Sequence, residues 1–436
     1  MEEIMNTSDV TLEELRKKVP EGAFFEGKEW QWSPLPFRLP PALAKELDGM
    51  GHRLLQFVEA CDLLYRQSVD GRQPGWIAEL LDQGKPSELV ALGRNPAFRG
   101  EIARVIRPDL VITEEGFAIC ELDQIPGGIG LTAWLNETYS DLGYEVLGGK
   151  SGMLEGFSSI LPSGEIIVSE EAATYRPEME WLAQRLSEWK GKADWKVSDA
   201  APRDSWTGNV YRFFELFDLD QVPCAQGLFS AATAGEVRVT PPPKPQLEEK
   251  LWFALFWMTP LREFWLRQLG ERGVQALQRW IPYTWILNPE PLPPQAVYPR
   301  LEIQDWKQLG SFSQKERNLI IKISGFDGRA WGARGVSLGS DLGRPDWERA
   351  IATALEEFPE HPYILQTYRR SILSEHPLYH DSGTVQTMKG RVRLSPYFFV
   401  SEGKANLGGA LATICPADKK ILHGMTDAIM VPTMRG

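Results

Sequence analysis

Arg107-Pro108-Asp109 and Cys120-Glu121-Leu122-Asp123 hold the side chains of this chain best suited to a charged ligand. Three carboxylates, Asp109, Glu121 and Asp123, stand near one guanidinium, Arg107, and Pro126-Gly127-Gly128 follows them. The spacing predicts a hairpin, with residues 110–113 and 117–122 as strands around Glu114-Glu115-Gly116. Side chains of a strand repeat every two residues, so Glu121 and Asp123 share a face. Asp109, just before the first strand, can meet them at the same end. Hard carboxylate oxygens beside a cation suit Mg2+ bound to a polyphosphate. The plainer use of the same residues is as solvated strand-end carboxylates, with Arg107 merely pairing with Asp109.

A phosphate-binding counterpart lies some 200 residues later. Lys322 stands among β-branched residues in a predicted strand, Asn318 to Ser324, that runs into a loop containing Gly325, Gly328, Gly332, Gly335 and Gly339. Glycines let backbone N–H groups approach phosphate oxygens closely. The loop lacks the Gly-Lys-Ser/Thr ending of a Walker A motif and is followed by strand-like Val336-Ser337-Leu338. A strand, a glycine loop and a second strand make a lid over a triphosphate rather than a cradle at a helix start. Further on, an apolar strand ends in Gln366, whose amide can hydrogen-bond an adenine edge. Lys322 could equally snorkel to solvent, and Gln366 could be an ordinary strand-end amide. Arg391 and Arg393 share one face of a later strand.

These groups must be held by a scaffold, and its parts are partly readable. Leu47, Met50, Leu54, Phe57, Val58, Cys61, Leu64 and Tyr65 recur at spacings of three and four, an amphipathic helix ending near Asp70-Gly71. Residues 131–245 read as alternating strand and helix. Strands are expected at 144–147 and 164–168, and a helix near Pro177. Pro241 to Pro245 reads as a stiff, extended linker. Residues 246–258 then read as a helix apolar nearly all round, hence deeply buried, and Pro289 to Pro299 marks another break. The 16 tryptophans mostly sit at helical spacing, where core packing is expected. The five histidines show no ligand spacing; His376 and His380 are four apart, but Pro377 argues against a helix there.

A chain of 436 residues is too long for one simple core, so two or three lobes are expected. No apolar run reaches the ~18 residues that span a bilayer, and Met1-Glu2-Glu3-Ile4-Met5 has no signal-peptide character. Four scattered cysteines without CxxC spacing argue against zinc or a disulfide framework and fit a reducing, cytoplasmic setting. A formal charge of −12 argues against a general nucleic-acid binder.

Taken in order, these segments resemble the ATP-grasp superfamily, and within it the circularly permuted branch that includes the synthetase domain of glutathionylspermidine synthetase. Arg107-Pro108-Asp109 resembles that family's Arg-x-Asp, and Glu121-Leu122-Asp123 its Glu-x-Asn metal segment. Leu247-Glu248-Glu249-Lys250-Leu251-Trp252 resembles the helix with the first ATP lysine, Ile321-Lys322 followed by glycines the second lysine and its loop, and Ile364-Leu365-Gln366 the adenine hinge. Asp123 stands where the family has Asn, no Asn precedes Lys250, the loop reads Gly-Phe-Asp-Gly-Arg, and no amidase module accompanies the chain. The resemblance implies an α/β (α+β), circularly permuted ATP-grasp-like fold. Residues 1–99 would be an N-terminal helical segment and 100–130 the metal-binding part. Residues 131–245 would be an inserted small α/β substrate lobe, and 246–436 the ATP-binding lobes. It implies an ATP- and Mg2+-dependent ligase joining a small-molecule or peptide carboxylate to an amine through an acyl-phosphate. Asp109, Glu121 and Asp123 would hold the metal, Arg107 would be catalytic, and Lys250, Lys322, Gly325, Gly328, Gly332 and Gln366 would bind ATP. A non-catalytic nucleotide-binding homologue and a small-molecule kinase are the alternatives. Neither co-substrate nor the oligomeric state is legible.

Overall fold

The computed structural model describes residues 10–20, 29–190, 194–330, 334–422 and 426–436. Gly332, His423 and the first five residues lie outside them. The chain divides into two compact units, one of residues 1–55, 102–242 and 370–436 and one of residues 56–101 and 243–369. The long helix Pro41–Val69, close to the bounds its periodicity predicts, gives its first half to one unit and its second half to the other. No helix among the described residues is long and apolar enough to cross a membrane.

The first unit is built on two sheets. Across the larger run Phe37–Leu39, Ile429–Arg435, Lys404–Pro416, Val385–Ser401, Val105–Thr113 and Gly116–Asp123, with Leu373–Tyr379 also paired to Val385–Ser401. The first pair is parallel and the others antiparallel. Helices Ile129–Asp141 and Gly152–Ile160 pack on this sheet. The smaller sheet is wholly parallel, in the order Trp195–Asp199, Gly164–Val168, Gly208–Phe213, Val237–Thr240. Its strand at 164–168 and the helix Arg176–Lys190 lie where the sequence places them. The strand expected at 144–147 does not form: one bridge joins Val146 to Met434. Gly148 and Gly149, both at positive φ, turn the chain there. A side chain on Gly148 would meet the Gly408 carbonyl at 1.9 Å.

The second unit carries an antiparallel sheet ordered Val336–Leu338, Leu319–Ile323, Tyr363–Thr367, Thr284–Ile286. Alternation divides its two faces. Leu319, Ile321, Ile323, Tyr363, Leu365 and Trp285 join Trp347, Ile351 and Ala354 of helix Arg344–Glu356 in one core. Lys322, Gln366 and Thr284 point the other way. The apolar helix is Leu251–Trp257, buried from Leu251 to Phe256, and begins later than expected. Pro245–Leu247 forms a tight turn first, and Glu248 leaves the helical path. Lys250 therefore precedes this helix instead of standing in its first turn.

Residues 241–245, expected as a stiff, extended linker, instead bend at Pro241 and Pro243, enter a tight turn at Pro245 and are buried. In the first unit the Pro241 and Pro242 carbonyls accept hydrogen bonds from buried Arg212. In the second, Lys244 pairs with buried Asp62 at 2.8 Å and donates to the Glu101 carbonyl at 2.7 Å. Prolines have no N–H to satisfy, so a proline-rich strap needs partners only for its carbonyls.

Candidate active site

The acidic hairpin forms from Val105–Thr113 and Gly116–Asp123, with its first strand longer than expected. Asp109 thus lies within the strand, opposite Glu121, and Arg107 lies opposite Asp123. Directly opposed residues of an antiparallel pair share a face, so all four polar side chains are gathered on one side. The pairing slips by one residue between Asp109 and Leu110, where Leu110 faces Ile119 and Asp109 faces Glu121. Cys120 is the extra residue of this bulge. Without it, strict alternation would carry Glu121 to the side of Ile119 and Leu110 instead of that of Asp109. On its other edge the strand pairs with Val385–Ser401 at Val105, Ile106, Leu110 and Val111, and the pairing lapses over Arg107 to Asp109. Pro108 lies in the gap and lacks the N–H a ladder needs.

The gap is filled by side chains. Arg107 holds Asp109 at 3.0 Å and Asp123 at 2.9 Å, and donates to the Gly127 carbonyl at 2.9 Å. Arg393 reaches Asp109 at 3.3 Å, and the Ser395 hydroxyl donates to it at 2.9 Å. The Ile125 N–H donates to Asp123 at 2.8 Å, and the Tyr397 hydroxyl donates to the Gly127 carbonyl at 2.7 Å. Burial opposes the charge on Asp109, but Arg107, Arg393 and Ser395 outweigh it, and its carboxyl sits below the usual range. Asp123 goes the other way: burial raises it, Arg107 offsets only part, and the Glu121 charge adds to the rise. Burial pushes the Tyr397 phenol up to about 12 despite Arg107. The turn after Asp123 demands glycine. A side chain on Gly127 would strike the Tyr175 ring at 2.3 Å, and Gly128, at φ 84°, has the Tyr397 hydroxyl 2.5 Å from where its Cβ would be.

In the second unit Lys322 is buried in the middle of its strand and donates to the Gln366 side-chain oxygen at 3.1 Å. The Gln366 amide nitrogen donates to the Thr284 hydroxyl at 2.9 Å. Gln366 thus lies in the body of strand Tyr363–Thr367, with both ends of its amide engaged. Lys250 places its ammonium 3.4 Å from the carbonyls of Ser324 and Ala330, at the entrance of the glycine loop. Ser324 accepts from the Leu251 N–H at 2.8 Å and donates to Glu249, whose other oxygen holds buried Lys85. Gly325 is a close-approach position, since a Cβ there would lie 2.2 Å from the Glu248 carbonyl. Gly328 opens a short turn to Ala330, and Lys322 pairs with Val336 across the loop, so the strand–loop–strand arrangement is present.

Arg107, Asp109, Glu121 and Asp123 thus come together in the first unit, and Lys250, Lys322, Gly325, Gly328 and Gln366 belong to the second. Among the described residues no group of three His, Cys, Asp or Glu stands ready to hold a metal ion. Ser395, Tyr397, Tyr175, Lys85 and Glu249 were not singled out from the sequence. A signal existed for one set: Arg393, Ser395 and Tyr397 alternate along one strand.

Over nearly its full length the chain matches the apo structure of a glutathione synthetase-like effector from Globodera pallida. The TM-score is 0.54 at 11% identity, over 98% of this chain and 97% of that one. The mixed α/β fold of this chain is thus similar to that of the glutathione synthetase-like effector. A gamma-glutamylcysteine synthetase candidate from Methylobacillus flagellatus KT matches more loosely, with a TM-score of 0.39 at 13% identity over 89% and 87% of the two chains. No family profile and no curated protein matches the sequence.

Proposed function

We propose that this protein is an ATP- and Mg2+-dependent carboxylate–amine ligase of the circularly permuted ATP-grasp type. The observation that carries it is the pairing Arg107–Asp123 and Asp109–Glu121 across one bulged hairpin, in a fold similar to a glutathione synthetase-like protein. In this reading residues 100–130 supply the metal and catalytic groups, 131–245 the substrate lobe and 246–436 most of the nucleotide site. Lys322, fixed by Gln366, and Lys250, at the mouth of the Gly325–Gly328 loop, neutralise phosphate charge. A substrate carboxylate oxygen attacks the γ-phosphorus, the bond to the β–γ bridging oxygen breaks, and ADP leaves. An amine nitrogen then attacks the acyl carbon and loses a proton, and inorganic phosphate departs with the C–O electron pair. Arg107 faces the oxyanion of that step, where one well-placed donor is worth roughly 3 kcal/mol.

Asp109, Glu121 and Asp123 are the right donors for magnesium, hard oxygens on one face, but Asp109 and Asp123 are engaged by Arg107. They would hold the ion once Arg107 exchanges partners, and the ion would supply charge neutralisation on the phosphates. That same engagement favours a second reading, a nucleotide-binding homologue without turnover. ADP release in the presence of pooled amino acids, peptides and polyamines decides between them. Turnover that Glu121→Ala abolishes supports the ligase. Turnover that Glu121→Ala leaves unchanged refutes the metal assignment, and stabilisation by MgATP without turnover supports the homologue.

A further inference from the structure

One buried polar group of the first unit is unused by anything described so far. Tyr211, in strand Gly208–Phe213, is fully buried, and its hydroxyl has no hydrogen-bond partner among the described residues. A buried phenol ordinarily finds a partner, because leaving the hydroxyl dry costs stability with no return. Such an exception calls for a use.

The surroundings of Tyr211 indicate one. Its ring lies 5.0 Å from Phe157, which lies 6.5 Å from Phe399, two residues beyond Tyr397. Phe213, on the same face of the strand, lies 5.7 Å from Tyr175, whose ring abuts Gly127. Gly127 is the residue that Arg107 and Tyr397 share. After burial, the charges that act on the Tyr211 phenol are those of Asp123, Arg212, Tyr397 and Arg107. The strand also has a telling position. In the order Trp195–Asp199, Gly164–Val168, Gly208–Phe213, the chain leaves Gly164–Val168 first to one side and then to the other. Ligands of parallel sheets bind in the crevice beyond the carboxyl ends at such a reversal. Asp123 keeps 19% of its side chain exposed, so the cluster opens to solvent there.

We propose that the Tyr211 hydroxyl is a substrate-contacting hydrogen-bond donor that, with Arg107, cradles the oxygens of a carboxylate-bearing substrate. This rests on the ligase reading above and adds the location and chemistry of the carboxylate subsite. Both groups offer hydrogens, the phenol one and the guanidinium several, which suits the oxygens of a carboxylate. Burial holds the phenol protonated, which keeps it a donor throughout the physiological range.

Tyr211→Phe removes only the hydroxyl and keeps the packing ring. The ligand-free variant is expected to melt at or above the wild-type temperature, with an unchanged response to MgATP. Turnover with whichever pool supports ADP release is expected to fall tenfold or more. Binding is read separately, by melting in sodium acetate or triglycine against sodium chloride at equal ionic strength. Stabilisation of the wild type by the carboxylates, absent in Tyr211→Phe, supports the subsite even if no pool yields turnover, in which case only the ligase reading fails. Equal responses of the two proteins, no response of the wild type, or a Tyr211→Phe protein that melts lower, as expected of a merely structural hydroxyl, overturns it.

Discussion

His376 shows how far one side chain can depart from its ordinary chemistry here. It is buried, with its Nε2 3.0 Å from the Ser33 hydroxyl and 3.2 Å from the Leu35 carbonyl, and burial pulls its pKa down to about 4. An unfolded histidine titrates near 6.5, so between those values the unfolded chain binds a proton that the folded chain refuses. Stability therefore falls as pH drops from about 6.5 to about 4, by an amount on the order of 3 kcal/mol from this residue. Urea midpoints of wild type and His376→Gln across that window should converge at low pH; parallel curves would contradict the assignment. At this scale the sequence was informative about the acidic cluster, since Asp109, Glu121, Asp123 and Arg107 do gather. It was silent about who holds them. Ser395 and Tyr397 reach Asp109 and Gly127 across 286 and 270 residues, and no local periodicity encodes such a pairing.

Elements were legible where their pattern is local. The hairpin, the strand Leu319–Ile323 with its glycine loop, and the helices Pro41–Val69 and Arg176–Lys190 all follow from alternation, turn residues or periodicity. The bulge at Cys120 was not, because it is a property of how the two strands pair and not of either strand's own alternation. The late start of helix Leu251–Trp257 was not either, and it matters, because it puts Glu249 and Lys250 against Ser324 at the end of the lysine strand. Lys85 and Glu249 form an ion pair almost wholly removed from solvent. Removing one partner leaves the other charge buried and unpaired, which costs about 3–5 kcal/mol. Lys85→Met should lower stability by that much in urea, and Lys85→Met with Glu249→Leu should recover most of it. A single substitution costing nothing measurable would show that the pair does not anchor the entrance of the glycine loop.

The whole molecule was the least legible. Its larger sheet joins Phe37–Leu39, the acidic hairpin and three strands beyond residue 384, an assembly set by long-range pairing that composition and periodicity do not record. The proline-rich strap at 241–245 was read as a linker for the same reason, since its partners Arg212 and Asp62 lie outside its own segment. The central claim is that the protein binds magnesium–ATP through Lys322. Melting the wild type and Lys322→Met with and without MgATP tests this most directly. At a hundred times the dissociation constant, a ligand adds about 2.7 kcal/mol to the native state. The account predicts a clear, magnesium-dependent rise for the wild type and little or none for Lys322→Met. Identical melting with and without millimolar MgATP, or an equal rise in both proteins, would contradict it.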